Sequence, residues 1–216
     1  MLKAVLFDFD GTIADSLHFH LMAWRKTFNH YGKNLSDEEI IRDAFYVTEE
    51  EFTKKFKIDD VKAFFDLYYT HLSEVITELK LHENLEEVLS WLKKKNIKLA
   101  IISFADREYL VAQLSRLKIA NFFDAVLGHR DASHPKPHSE IAKKAMKILE
   151  VNTDETLLIG DTELDIKTGK NALVLTGLYL PKMNLPFVDE ESLRALKADF
   201  EFGNFSELPD KVSRLL

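Results

Sequence analysis

The 216-residue chain contains no cysteine, so it forms no disulfide, carries no thiolate nucleophile and builds no cysteine-based zinc site. Its five prolines and seven glycines are scattered, with no repeat, low-complexity tract or flexible linker among them. No apolar run approaches the ~18 residues that a membrane span needs. The chain starts with one lysine and four apolar residues before acids follow, which is not a signal-peptide pattern. These absences give the expectation of a cytoplasmic protein without membrane contact. Positive charge is also short: 29 Lys and Arg face 36 Asp and Glu, a net charge of −7. That balance argues against a general nucleic-acid or anionic-membrane binder. An anionic ligand must then be held by local positive groups or by a metal. At 46% hydrophobic and 30% charged, the chain suits one globular domain, or one carrying a smaller insertion.

The segment Val5-Leu6-Phe7-Asp8-Phe9-Asp10-Gly11-Thr12 carries the most information. Its alternation predicts a strand over residues 2–9 with two carboxylates at i and i+2. On a strand those side chains point the same way, roughly 7 Å apart, and raise each other's pKa unless a cation or donors compensate. Gly11 then lets the chain turn, because it takes a positive φ without steric cost.

From Asp15 to about Lys80 every segment reads as helix. Ser16 or Asp15 caps a run with Leu17, Leu21, Trp24 and Phe28 on one face. Ser36-Asp37-Glu38-Glu39 has the form of a capping box opening a helix to about Phe45. Thr48 and the glutamates after it start another, with Phe52 and Phe56 inward. Phe64, Leu67, Tyr68, Leu72, Val75, Ile76 and Leu79 recur at spacings of three and four, the mark of an amphipathic helix. The aromatics of this stretch, Phe45, Tyr46, Phe65 and Tyr69 included, read as its core.

Beyond residue 82 helices and strands alternate. Strands are expected at Lys98–Ser103, Ala125–Leu127, Thr156–Ile159, Ala172–Thr176 and near Asp199–Phe202. Helices are expected around Leu85–Leu92, Asp106–Leu117, Pro137–Leu149, Glu163–Lys170, Glu190–Lys197 and from Ser206 onward. The pattern predicts an α/β fold: a doubly wound, mostly parallel sheet formed by residues 1–15 and 81–216. Residues 16–80 would be an all-α cap inserted at the ligand edge.

Asp8 and Asp10, Ser103, Lys136 and Asp161 all fall at the ends of predicted strands or just before helices, where an open α/β sheet gathers its ligands. Asp165 lies four residues past Asp161. Two of these carboxylates can hold Mg²⁺, which takes one or two carboxylates and keeps water and phosphate in its shell. A carboxylate can then attack phosphorus, while the metal, Lys136 and the Ser103 hydroxyl neutralise the transferring oxygens. Taken singly, several of these residues suit plainer roles. Asp161 and Asp165 also fit a helix N-terminus, and Lys136 alone is an ordinary lysine between two prolines. His134 and His138 have i,i+4 spacing, but Pro135 and Pro137 forbid the helix a zinc pair needs, so they read as loop histidines.

The ordered set Asp8-Phe9-Asp10-Gly11-Thr12, Ser103, Lys136-Pro137 and Gly160-Asp161-Thr162-Glu163-Leu164-Asp165 resembles the haloacid dehalogenase superfamily. The likeness is to its helical-cap branch of phosphoglycolate phosphatases and β-phosphoglucomutases. The resemblance implies Asp8 as nucleophile, Asp10 as general acid and base, and Ser103 and Lys136 as phosphate binders. It implies Mg²⁺ on Asp8, the Asp10 carbonyl and Asp161, with Asp165 orienting them and Gly11 and Thr12 forming the phosphate loop. The cap start is similar to that of the mutase and its phosphatase relatives, with His20 and Trp24 in matching places, so His20 is either a substrate contact or a cap-face or hinge residue. Phe104 follows Ser103 where a small residue is usual, so its ring either narrows the phosphate pocket or turns to the core while its N–H donates. The implied activity is hydrolysis of a small phosphorylated metabolite through an aspartyl-phosphate, by a monomer or weakly associating homodimer. The alternative is a sugar phosphomutase with the same site, disfavoured because residues 44–48 lack the Gly and Arg that many relatives use there.

Overall fold

The apolar run Ala4–Phe7 forms β1, with every residue buried. It stops short of the predicted residue 9 because the Phe9 carbonyl accepts from the N–H groups of Thr12, Ile13 and Ala14, curling the chain out of the ladder. The structure is a computed structural model and describes residues 1–45, 47 and 49–215. They divide into two units: Met1–Asp15 with Lys80–Leu216, and Ser16–Leu79.

Among the described residues, the regular elements of the second unit are all helices. It comprises α1 (Leu17–His30), α2 (Asp37–Ala44), α3 (Glu49–Phe56) and α4 (Val61–Val75). The capping box forms as its residues dictate: Glu39 N–H donates to Ser36 Oγ at 3.2 Å, and Ser36 N–H to Glu39 Oε2 at 2.8 Å. Asp60 caps α4 by accepting from Ala63 N–H at 2.9 Å. The core is aromatic. Trp24 stacks on Tyr68 with ring centroids 4.2 Å apart and lies within 6.1 Å of Phe28, Phe52 and Phe64. Leu21, expected on this inward face, is only half-buried. Tyr46, expected in the aromatic core, and Thr48, expected to start α3, lie outside the described residues.

In the first unit β1 is followed by α5 (Leu85–Lys94), β2 (Lys98–Ile102), α6 (Arg107–Arg116), β3 (Ala125–Leu127) and α7 (Glu140–Leu149). Then come β4 (Thr156–Gly160), α8 (Glu163–Ala172), β5 (Leu175–Tyr179), α9 (Glu190–Ala195), β6 (Phe200–Phe202) and α10 (Leu208–Val212). The six strands form one sheet in the order β3-β2-β1-β4-β5-β6, and each pair of neighbouring strands runs parallel. The strand order reverses between β1 and β4, the switch point at which such sheets open a ligand crevice at their carboxyl edge.

Alternation along the strands divides the core. Ala4, Leu6, Ala100, Ile102 and Leu158 pack with Ile141, Ala145 and Met146 of α7. On the opposite face the Phe7 ring meets Phe123 and Phe205, with centroids 6.5 and 6.4 Å away. On the first face α8 lies tight against β5: a Cβ at Gly169 would sit 2.4 Å from Thr176 Cγ2.

Two expectations are corrected. The helix predicted from Pro137 begins at Glu140. The intervening residues are held as a turn, with His138 N–H donating to the Pro135 carbonyl at 2.9 Å and Asn171 to that of Pro137 at 2.9 Å. The strand predicted at Ala172–Thr176 lies at Leu175–Tyr179. Ala172 completes α8, and Leu173 adopts φ 60° as its C-cap, which delays the strand.

Trp24→Ala removes the centre of the helical unit's aromatic cluster. It should cost about 3–5 kcal/mol, the range for truncating a buried aromatic, in urea unfolding followed by far-ultraviolet circular dichroism. A loss below about 1 kcal/mol, no more than an exposed site gives, would show that the cluster does not hold this unit together.

Candidate active site

Register sets the geometry. Phe7 lies opposite Ile159, so Asp8 and Asp161 stand just past the ends of adjacent strands on either side of the switch point. Asp8 N–H still donates to the Ile159 carbonyl at 2.9 Å, which anchors its backbone while the side chain enters the crevice. There Lys136 Nζ donates to Asp8 Oδ1 at 2.8 Å and to Asp165 Oδ1 at 2.6 Å. All three side chains are buried. The other oxygen of Asp165 accepts from the Thr162 N–H at 3.1 Å and hydroxyl at 2.5 Å. One carboxylate therefore starts α8 and grips the lysine.

Asp161 is fully buried and held by neutral donors. Its Oδ1 accepts from Thr12 Oγ1 at 2.8 Å and its Oδ2 from Asn184 Nδ2 at 3.0 Å. Gly11 is required beside it: the backbone has φ +79°, and a Cβ would sit 2.2 Å from Asp161 Oδ2. Asn184 is not marked by any sequence motif. It sits 23 residues beyond Asp161 in a short 3-10 turn, Lys182–Phe187, and no local pattern singles it out.

Asp8 and Asp10 part company once the strand ends. Asp10 is half-buried, and its Oδ1 accepts from the Tyr109 hydroxyl at 3.0 Å, a ring set edge-on to Phe9 at 6.0 Å. At Asp8 the repulsion from Asp10, expected from their spacing, is a minor effect. Burial pushes Asp8 up to about 7, opposed by Lys136 and reinforced by Asp165, with Asp10 contributing least. Burial, Asp8 and Asp165 raise Asp161 well above the carboxylate range. Burial works against charge on Lys136, but Asp165 and Asp8 overcome it and keep the ammonium protonated.

Ser103 follows β2, buried, with its N–H donating to the Leu127 carbonyl at 3.0 Å and its Oγ accepting from Ala105 N–H at 3.1 Å. The Phe104 ring neither enters the core nor stands alone: half-buried, it stacks on His129 at 6.1 Å and 20°. His20 belongs to the helical unit, where Nδ1 shares a hydrogen bond with the Tyr68 hydroxyl. His134 and His138 are loop residues with rings 4.7 Å apart. The carboxylate between them, Glu140, accepts from the Ser133 and His134 N–H groups at 2.9 and 3.1 Å and pairs with Lys144. Its lone pairs are spent on shaping the loop.

Asp8, Asp161 and Asp165 offer carboxyl oxygens that lie within 4.8 Å of one another. One buried lysine faces three buried acids, so ionising all three leaves an excess of two negative charges. Burial first, and then this excess of negative charge, raises Asp8 and Asp161. A hard divalent cation with oxygen ligands fits that site in charge and in donor type.

Residues 5–177 match the family model of the haloacid dehalogenase-like hydrolases. Pyrophosphatase PpaX of Bacillus mycoides is 28% identical over 218 residues, covering 99% of this chain and 98% of that protein. Its counterpart in Oceanobacillus iheyensis is 31% identical over 182 residues, covering 81% and 82%. A solved structure from Bacteroides fragilis, of a protein assigned as a haloacid dehalogenase-like hydrolase, superposes with a TM-score of 0.84. It is 25% identical, and the match covers 96% of this chain and all of that one. With its acids and lysine meeting at the switch point and this match spanning most of its length, the chain belongs to the haloacid dehalogenase-like hydrolase family.

Proposed function

We propose that this phosphatase of the haloacid dehalogenase-like family hydrolyses a small phosphorylated metabolite with Mg²⁺, through an aspartyl-phosphate on Asp8. The observation that carries the reading is the Lys136 ammonium bonded to Asp8, in a buried site short of positive charge. Mg²⁺ bound by Asp8, the Asp10 carbonyl and Asp161 would add positive charge against the phosphoryl oxygens and keep Asp8 ionised.

Asp8 attacks phosphorus, and the bond to the leaving oxygen breaks as Asp10 delivers a proton to that oxygen. Water then attacks the phosphorus of the acyl phosphate, giving its proton to Asp10 and returning Asp8 as a free carboxylate. Lys136 and the Ser103 hydroxyl hold the transferring oxygens, which is most of what phosphoryl transfer asks of a protein. Asp10 suits the proton's path because it is less buried than Asp8 and accepts a hydrogen bond from the Tyr109 hydroxyl. The helical unit is proposed as a cap that excludes water and selects substrate. Because relatives at 28% and 31% identity are named pyrophosphatases, pyrophosphate stands beside phosphomonoesters among the substrates to test. Its bridging oxygen leaves by the same step.

Phosphate release measured over a panel of phosphate esters, with pyrophosphate included and Mg²⁺ present, identifies the substrate. Conversion of β-glucose 1-phosphate without phosphate release would replace hydrolysis by the mutase alternative. With a substrate in hand, Asp8→Asn should abolish turnover, and measurable steady-state activity in that variant rules out the covalent route. Asp10→Asn should slow kcat about 10²–10⁴-fold, the usual worth of general acid–base assistance. A rate within twofold of wild type would remove Asp10 from that role. Stripping divalent metal with EDTA should stop the reaction and excess Mg²⁺ restore it, whereas activity persisting in EDTA would refute metal dependence.

A further inference from the structure

The three buried carboxylates are not held alike. Asp8 and Asp165 share the Lys136 ammonium. Asp161 instead has the Thr12 hydroxyl on one oxygen and the Asn184 amide on the other. An ionised carboxylate has about four lone-pair sites, so one neutral donor on each oxygen orients it and leaves a site on each for a cation. An ammonium in the same place would compete with that cation.

Asn184 does more than hold Asp161. The same Nδ2 donates to the Gly11 carbonyl at 2.8 Å, using both amide hydrogens on two segments far apart in sequence. Gly11 N–H meanwhile donates to the Ala14 carbonyl at 2.9 Å, so the Gly11 backbone is fixed at both of its polar groups. The turn that bears the residue is itself set, with Asn184 N–H donating to the Pro181 carbonyl at 3.0 Å. The side chain is 1% exposed, which leaves it no competing water. Reversing the amide would set its oxygen against a carbonyl and a carboxylate, so only one orientation satisfies the site.

We propose that Asn184 is a positioning residue that locks the first loop to Asp161 and thereby sets the affinity of the site for a divalent cation. The inference rests on the reading of Asp161 as a ligand of Mg²⁺. Groups that orient metal ligands through hydrogen bonds typically contribute 10–100-fold to metal affinity.

The test is Mg²⁺ binding to the substrate-free protein by isothermal titration calorimetry, for wild type and Asn184→Leu, which keeps the branched shape and removes the donors. Asn184→Ala serves as a second variant should leucine prevent folding, and far-ultraviolet circular dichroism in EDTA reports folding of each. The expected result is a Kd for Mg²⁺ raised about 10–100-fold in a folded variant. In turnover assays the apparent KM for Mg²⁺ should rise in step, with the greater part of kcat regained at saturating Mg²⁺. A folded variant that binds Mg²⁺ within twofold of wild type overturns the inference and leaves the metal reading standing. A wild type that binds no Mg²⁺ overturns both.

Discussion

One buried ammonium organises the carboxyl edge of the sheet. Lys136 meets Asp8 from β1 and Asp165 from α8, and neither acid is exposed enough for water to do the same work. Removing one partner from such a pair leaves an uncompensated charge in a poor solvent, a penalty of several kcal/mol. The loop before α7, the end of β1 and the start of α8 are therefore bound to one another by charge as well as by packing. A single cation also cannot balance three acids, and that shortfall is what the proposed Mg²⁺ would make good.

Asp161 stands on the other side of that division. Its hydrogen-bond donors, Thr12 and Asn184, carry no charge, so the carboxyl group is oriented by neutral donors. The contrast separates two tasks usually blurred in a cluster of acids: one pair anchors the lysine, and one carboxylate stays available. The sheet beneath is apolar, with Phe7 and Ile159 fully buried.

The alternation of elements and the acids at strand ends were legible because each is a local signal. Val5 to Gly11 states its strand and turn within a few residues, and Gly160-Asp161 follows an unbroken apolar run. The convergence of Asp8, Lys136, Asp161 and Asp165 could be expected from their order on a sheet with a switch point. What escaped depended on contacts across the chain. Asn184 and Tyr109 reach Asp161 and Asp10 from segments that read as a loop and an ordinary helix. Pro137 looked like a helix start, yet backbone and side-chain bonds from residues 133–140 and Asn171 hold it in a turn. Ala172 looked like a strand start because it is apolar and buried, which the last turn of α8 satisfies equally well.

The double duty of Asp165 reaches beyond the reaction. The oxygen that caps α8 and the oxygen that grips Lys136 belong to one planar group, so neither bond can loosen without twisting the other. The first turn of α8 and the loop carrying Lys136 are thus a single cooperative unit. Their backbone amides should exchange with solvent together rather than fray independently, as helix ends and loops commonly do. The rigidity that holds Lys136 at the sheet edge is in this way borrowed from the hydrogen bonds that begin a helix.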